Sequence, residues 1–225
     1  MELRLRGRLL PDTPVIMANV AWPGPASDRG SSADPGAAAR IGAAADLVRD
    51  AVADGARLVD IGRPGILAVE PIRAANPEVI ICADAPGADL TRDPENAART
   101  GAALLRRSTP APPPSGVPPA SGAAWPSSAP GTVTGTTPTG LAPAGPGLIE
   151  AAPVEAAALA AAGHAVLADA DADELAATIA VASVLAWLGV RVVRTRHVAA
   201  VREALEMVES IRGTRAPSWA RRGLA

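Results

Sequence analysis

Residues 32–62 read SADPGAAARIGAAADLVRDAVADGARLVDIG, and this stretch decides the fold class. Its first part predicts a helix over 32–54, because Asp34 can cap the start and Gly55 can end it. The apolar residues of this part fall on one helical face: Ile41, Ala45, Val48 and Val52. The last part predicts a strand over 57–62. A helix that leads directly into a strand is typical of a parallel sheet covered by helices.

The same alternation of apolar runs and helical stretches continues on both sides. Further strands are predicted over 15–20, 78–84, 165–168 and 190–194. A helix is predicted over 96–107. Another is predicted between Asp173, which can cap it, and Gly189, which can end it. The last helix has an apolar stripe at helical spacing: Val198, Val201, Leu205, Val208 and Ile211. These elements predict an α/β fold.

The composition excludes some classes of function. The 225 residues carry a formal net charge of -2 and a pI near 5.7, so the chain has no basic field for a long nucleic-acid contact. Every basic side chain other than the two His is Arg, so no mechanism can use a lysine. The N-terminal sequence is unlike a signal peptide, and no apolar run reaches the length of a membrane span. We therefore expect a cytoplasmic protein that binds neither nucleic acid nor membrane.

The composition changes sharply over 108–147 to Pro, Ser, Gly, Thr and Ala. This segment has few large apolar residues with which to offset the entropy of ordering, so we expect a flexible, disordered insert. It separates N-terminal βα units over 1–107 from C-terminal βα units over 148–215, which a tail over 216–225 follows. The insert is interpreted as a linker; the alternative is a scaffolding segment whose proline-rich sequence binds partner proteins.

Several motifs at the two ends of the chain suggest a family. PVIMANV at 14–20, SDRG at 27–30, DGARLVDIG at 54–62 and IICAD at 80–84 resemble the first three βα units of the dihydropteroate synthases. RTRHVAAVREALEMVESIRGTR at 194–215 is similar to the end of the second actinobacterial paralogue of that enzyme. The resemblance implies a TIM (β/α) barrel. We expect an incomplete or eroded barrel, because only about six strands are recognised where a closed barrel needs eight.

The resemblance also implies an activity and a set of site residues. The family joins a pterin methyl diphosphate to para-aminobenzoate in folate biosynthesis, and this chemistry needs Mg²⁺ and cations at the departing diphosphate. Asn19 corresponds to the first-strand Asn that reaches the metal. Asp84 matches the Asp that reads the pterin ring. Arg194 is the retained Arg of the last strand, and Arg196 takes the place of the neighbouring His.

Position in the predicted sheet bears on the same residues. Asp60 and Asp84 lie at the C-terminal ends of strands, where ligands bind in parallel α/β folds. The alternative is that each of them caps a loop or a helix. Arg194 and Arg196 are candidates for binding an anion, or else form a solvated pair at the surface.

The chain departs from the family pattern at several points. Gly24 stands where a carboxylate belongs, the anion-binding loop after the second strand is missing, and Arg92 replaces the pterin-binding Asn. The helix that should precede GADLTRD at 87–93 is deleted, so a strand at GADL is in doubt. Since no Lys exists, the substrate-holding Lys of the seventh strand is absent too.

These losses favour a non-catalytic paralogue. Losing one oxyanion-type contact costs about a hundred- to a thousandfold in rate, so several losses should leave little activity. We expect a pseudoenzyme with a residual site for a pterin-like or diphosphate ligand. The alternative is an active synthase that uses Mg²⁺ and the surviving Asn19, Asp84, Arg194 and Arg196. A sheet with too few strands would have an open edge, which predicts a homodimer.

Overall fold

The computed structural model describes residues 3–5, 8–23, 36–64, 68–108 and 147–216. Its strands are β1 (Leu3–Leu5), β2 (Arg8–Leu10), β3 (Val15–Asn19), β4 (Leu58–Asp60), β5 (Ile80–Cys82), β6 (Leu90–Thr91), β7 (Ala103–Leu104), β8 (Arg106–Arg107), β9 (Leu148–Ala151), β10 (Ala165–Asp169) and β11 (Val192–Thr195). Its helices are α1 (Ala37–Ala53), α2 (Val69–Ala75), α3 (Pro94–Thr100), α4 (Pro153–Ala161), α5 (Leu175–Trp187) and α6 (Val198–Arg212). Most of the predicted insert, and the proposed cap Asp34, lie outside the described residues.

The large sheet is parallel and its two ends meet in one short segment. Its strand order is β7-β6-β5-β4-β3-β11-β10-β9-β8. Leu105 alone separates β7, which pairs with β6, from β8, which pairs with β9. Residues 103–107 therefore join both edges of the sheet and act as one strand position. Among the described strands this gives a parallel barrel with eight positions, and the expected TIM barrel is confirmed.

The expectations for the middle of the chain were wrong. The helix predicted over 96–107 ends at Thr100, because Gly101 takes a positive φ of 72° and turns the chain into β7. Leu90–Thr91 forms β6 although a strand was in doubt there, and Leu148–Ala151 forms β9. The count of six strands was too low for this reason. The open edge that motivated the homodimer is not seen among the described strands, so dimerisation stays a prediction without that support.

A short connection replaces the missing helix between β5 and β6. Asp89 accepts a hydrogen bond from the Ile81 N–H at 2.9 Å, which brings the end of the connection back beside β5. Arg73 of α2 donates to Asp89 at 3.0 Å and also to the Gly87 carbonyl. These polar contacts hold the turn closed, so β6 reaches its place in the barrel without a helical crossover.

The barrel interior is filled by apolar side chains, and one layer of them takes one residue from each strand position. This core layer, which is at most 3% exposed, consists of Met17, Leu58, Cys82, Leu90, Leu105, Leu148, Leu167 and Val192. Leu3, Leu5 and Leu10 of the β1–β2 hairpin pack in the same cluster and cover its N-terminal end. Burial raises the pKa of the Cys82 thiol, so its reactive thiolate is disfavoured.

The helices surround the barrel and bury a second cluster against the outer faces of the strands. Val48 of α1, Ile72 of α2 and Val201 of α6 are fully buried there. None of the described helices is long and apolar enough to cross a membrane. The parallel arrangement places the C-terminal ends of the strands of the large sheet on one face, where the polar side chains lie.

Candidate functional site

A polar ring covers the C-terminal end of the barrel. Alternate strand residues point to the same side of a sheet, so the residue two positions after each core-layer residue also projects toward the barrel axis. Those eight residues are Asn19, Asp60, Asp84, Arg92, Arg107, Glu150, Asp169 and Arg194. They include four carboxylates and three guanidinium groups. The C-terminal face is where TIM barrels bind their ligands.

Arg92 lies between two carboxylates of this polar ring. Its Nη2 donates to Asp60 Oδ2 at 2.6 Å, and its Nε donates to Glu150 Oε2 at 3.0 Å. Longer contacts of 3.4 Å to Asp60 Oδ1 and 3.3 Å to Glu150 Oε1 make both pairings forked. Burial opposes the charged form, but the hydrogen bonds of Asp60 and Glu150 outweigh it and raise the pKa of Arg92.

Arg194 joins the same carboxylates from the other side. Its Nη1 donates to Glu150 Oε1 at 2.6 Å and to Asp60 Oδ2 at 3.3 Å. Its Nη2 donates to Asp169 Oδ2 at 2.8 Å. Burial alone would raise the pKa of Glu150, yet the hydrogen bonds and charges of Arg92 and Arg194 hold it below its usual range. The centre of the ring is therefore a network of ion pairs between two arginines and three carboxylates.

Asp84 lies beside this network and is held through the backbone. It accepts hydrogen bonds from the Arg92 N–H at 3.0 Å and from the Thr91 hydroxyl at 3.3 Å. The exposed guanidinium of Arg63 approaches its other oxygen at 3.4 Å. Asp84 thus has a fixed position and one side turned toward solvent.

A cavity of about 750 Å³ opens next to the ring. Its lining consists of Arg63, Asp84, Arg92, Asp93, Pro94, Leu105, Arg107 and Glu150. Asp93 is committed to capping α3, since its side chain accepts from the Glu95 and Asn96 N–H groups. Arg63 and Arg107 are exposed at this cavity. The cavity therefore offers cationic groups near its mouth and the Asp84 carboxylate within.

The structure brings together some of the predicted site residues and separates others. Asp60 and Arg194 are in direct contact, and Asp84 lies in the adjoining cavity. Asn19 is exposed at the end of β3, where it is the register partner of Asp60. Arg196 lies apart from the ring, because its guanidinium donates to the Ala172 carbonyl and its N–H to Asp171.

Sequence reasoning missed Glu150 and the role of Arg92. Glu150 stands in an Ala-rich stretch in which no strand was recognised. The signal was present nevertheless: Leu148 and Glu150 have the period of two that places both inside the barrel. Arg92 was noticed only as a replaced family residue, since its partners Asp60 and Glu150 are distant in the sequence.

The donor set does not fit the Mg²⁺ that an active family member would need. Across the described residues, no group of three or more His, Cys, Asp or Glu could hold a metal ion. Asp60, the carboxylate nearest to Asn19 in the strand register, already accepts from Arg92 and Arg194. A hard divalent cation prefers several oxygen ligands, and this carboxylate faces two cations instead.

Comparisons with known proteins support the fold. No family model matches the chain, and no curated protein matches it significantly. Among solved structures, Mycobacterium tuberculosis Rv1207 is 25% identical with a TM-score of 0.60, over 95% of this chain and 99% of that one. The Yersinia pestis dihydropteroate synthase, in a complex with a sulfonamide drug, is 18% identical with a TM-score of 0.63, over 96% and 100%. The Vibrio fischeri 7,8-dihydropteroate synthase is 15% identical with a TM-score of 0.62, over 96% and 99%. The chain therefore has the TIM-barrel fold of the dihydropteroate synthases, and the resemblance that its sequence motifs indicate is confirmed.

Proposed function

We propose that this chain is a non-catalytic protein of the dihydropteroate synthase fold that binds a small anionic ligand of the pterin diphosphate type. The observation that carries the proposal is the pairing of Arg92 and Arg194 with Asp60, Glu150 and Asp169. Displacement of diphosphate requires cations that are directed at the charge developing on the departing group. Here the two central cations are directed at carboxylates of the chain itself.

The composition supports the same conclusion about catalysis. The sequence contains no Lys, so stabilisation of the negative charge on the departing diphosphate would depend on Arg side chains. Since both central guanidiniums are already hydrogen-bonded to carboxylates, recruiting them would leave buried anions unpaired, which is costly. The expected result is that the chemical step is not accelerated.

The adjoining cavity supports ligand binding. Arg63 and Arg107 are exposed beside it and have the forked geometry that suits phosphate oxygens. Asp84 presents a carboxylate that can accept hydrogen bonds from a donor edge of a heterocycle. A volume of about 750 Å³ is within the range of small-molecule sites. A ligand with one anionic end and one donor edge matches this distribution of charge.

Two measurements on the purified chain test the proposal. We expect no turnover above background with pterin methyl diphosphate, para-aminobenzoate and Mg²⁺; turnover would instead establish an active synthase. We also expect pterin methyl diphosphate to raise the melting temperature, since a ligand that binds only the folded state stabilises it. Arg107→Ala should weaken this shift. Arg106→Ala, the matched control, removes an exposed neighbouring charge that does not line the cavity and should leave the shift unchanged.

A further inference from the structure

Asp60 and Glu150 form a receptor for a planar, fork-shaped cation, and Arg92 fills it. Both carboxylates use both oxygens toward the Arg92 guanidinium, at distances from 2.6 to 3.4 Å. A guanidinium has five N–H donors in one plane, and opposed carboxylates recognise that plane and its edges. The same pattern of donors occurs on the 2-aminopyrimidine edge of a pterin. The receptor is thus occupied by a side chain with the chemistry of a ligand edge.

The receptor is held in shape by groups other than its occupant. Arg194 donates to Glu150 at 2.6 Å and to Asp60 at 3.3 Å, and Asp169 anchors Arg194 in turn. The Gly62 N–H donates to Asp60 Oδ1 at 3.0 Å. Removing the Arg92 side chain would therefore leave both carboxylates fixed. A vacated receptor would be preorganised for a replacement cation.

The position of Arg92 opens toward the cavity. Arg92 and Glu150 both line it, and Leu105 of the core layer forms part of its floor. On the inner side the Arg92 guanidinium reaches Cys82 Sγ at 3.8 Å, so the barrel core closes the receptor from below. A ligand in the cavity therefore meets the guanidinium of Arg92 before it can reach Asp60.

We propose that Arg92 is a specificity-determining residue that acts as an internal ligand and excludes guanidine-like edges from the centre of the polar ring. This inference rests on the proposed function for the kind of ligand that enters the cavity. Asp60, Glu150 and Asp169 carry three negative charges against two positive charges of Arg92 and Arg194. Without Arg92 the excess of negative charge doubles, so the vacated receptor selects a cation of the same shape.

The test measures the melting temperature in methylguanidinium chloride at concentrations well below those that denature proteins. Sodium chloride at the same ionic strength is the control. The melting temperature of Arg92→Ala should rise with methylguanidinium in a saturable manner. The wild type and the charge-matched control Arg106→Ala should show no such rise. Ethylammonium has the same charge without the planar fork and should be much less effective on Arg92→Ala. If Arg92→Ala does not fold alone, the same titration is followed as recovery of folded protein.

The outcomes separate this inference from the proposed function. A flat response of Arg92→Ala, or an equal rise in the wild type, overturns the role of Arg92. The double variant Asp60→Asn, Arg92→Ala should lose the response, and a retained response would place the cation elsewhere. The wild type's response to pterin methyl diphosphate is scored independently, so the receptor can be established even if that ligand does not bind.

Discussion

The two ends of the barrel are closed by opposite chemistry. At the N-terminal end, Leu3, Leu5 and Leu10 cover the core layer with apolar surface. At the C-terminal end, Arg92 and Arg194 cover it with ion pairs. Apolar burial is favourable in itself, whereas the desolvation of paired charges offsets much of their attraction. The difference indicates that the N-terminal end contributes stability, whereas the C-terminal end carries the polar groups on which the proposed ligand site rests.

The largest expected effect comes from breaking the ionic end. Arg194→Met leaves Asp60, Glu150 and Asp169 with one cation among them, so we expect a loss of about 3–5 kcal/mol in the free energy of unfolding at neutral pH. Urea denaturation measures it. Arg196→Met is the matched control on the same strand end, and its exposed side chain should contribute less than about 0.5 kcal/mol. Similar losses for the two variants would mean that the network does not hold this end closed.

The apolar end should respond somewhat less. Leu5 is fully buried against the core layer, and Leu5→Ala should cost about 2–3 kcal/mol through lost burial and a cavity. The loss of unfolding free energy in Leu5→Ala should be the same at neutral and acid pH. The loss for Arg194→Met should shrink in acid, since uncompensated carboxylates can then be neutralised by protonation. If the losses in Leu5→Ala and Arg194→Met changed with pH in the same way, the contrast between an apolar and an ionic end would be contradicted.

The smallest effect is the titration of the ionic end in the wild type. The pKa of Glu150 in the folded state is held below its ordinary value of 4.5. Its contribution to stability is therefore present above that value and is lost as the pH falls through the lowered folded pKa. Glu150→Gln should be less stable at neutral pH and lose less on acidification, whereas Leu5→Ala should keep the wild-type slope. Urea denaturation over a pH series measures both slopes, and an unchanged slope in Glu150→Gln would exclude this carboxylate as the cause.

Sequence patterns predicted the two ends of the chain better than its middle. Val15–Asn19 and Val198–Arg212 have enough residues for a period to be recognised. Leu90–Thr91 and Ala103–Leu104 do not, because two residues cannot show alternation; only their neighbours in the barrel make them strands. The helix predicted over 96–107 failed at one glycine for a similar reason, since its apolar continuation Leu104–Leu105 suits either kind of element.

The residues of the candidate site were likewise predicted only where a local sequence pattern indicated them. Asp60 was predicted from its position at a strand end, where ligands bind in parallel folds, and Arg194 was predicted from the family motif. The pairing of Asp60 with Arg92 was not found, because hydrogen bonds between distant residues leave no local pattern. Arg196 was selected from the motif, yet its backbone follows β11 into the turn before α6 and its guanidinium donates to the Ala172 carbonyl, outside the polar ring.

The segment 103–107 also has a consequence for how the chain acquires its structure. The described barrel strands form two sets, β3 to β8 and β9 to β11. The sets are joined at two seams, which are the pairings of β8 with β9 and of β11 with β3. Each set by itself would present two unpaired edges, which invite association with other chains. The second seam joins Val15–Asn19 to Val192–Thr195, so it forms only after nearly the whole described chain has been synthesised. Contacts this distant in sequence form slowly as a rule, and a barrel without this seam would expose strand edges that favour aggregation.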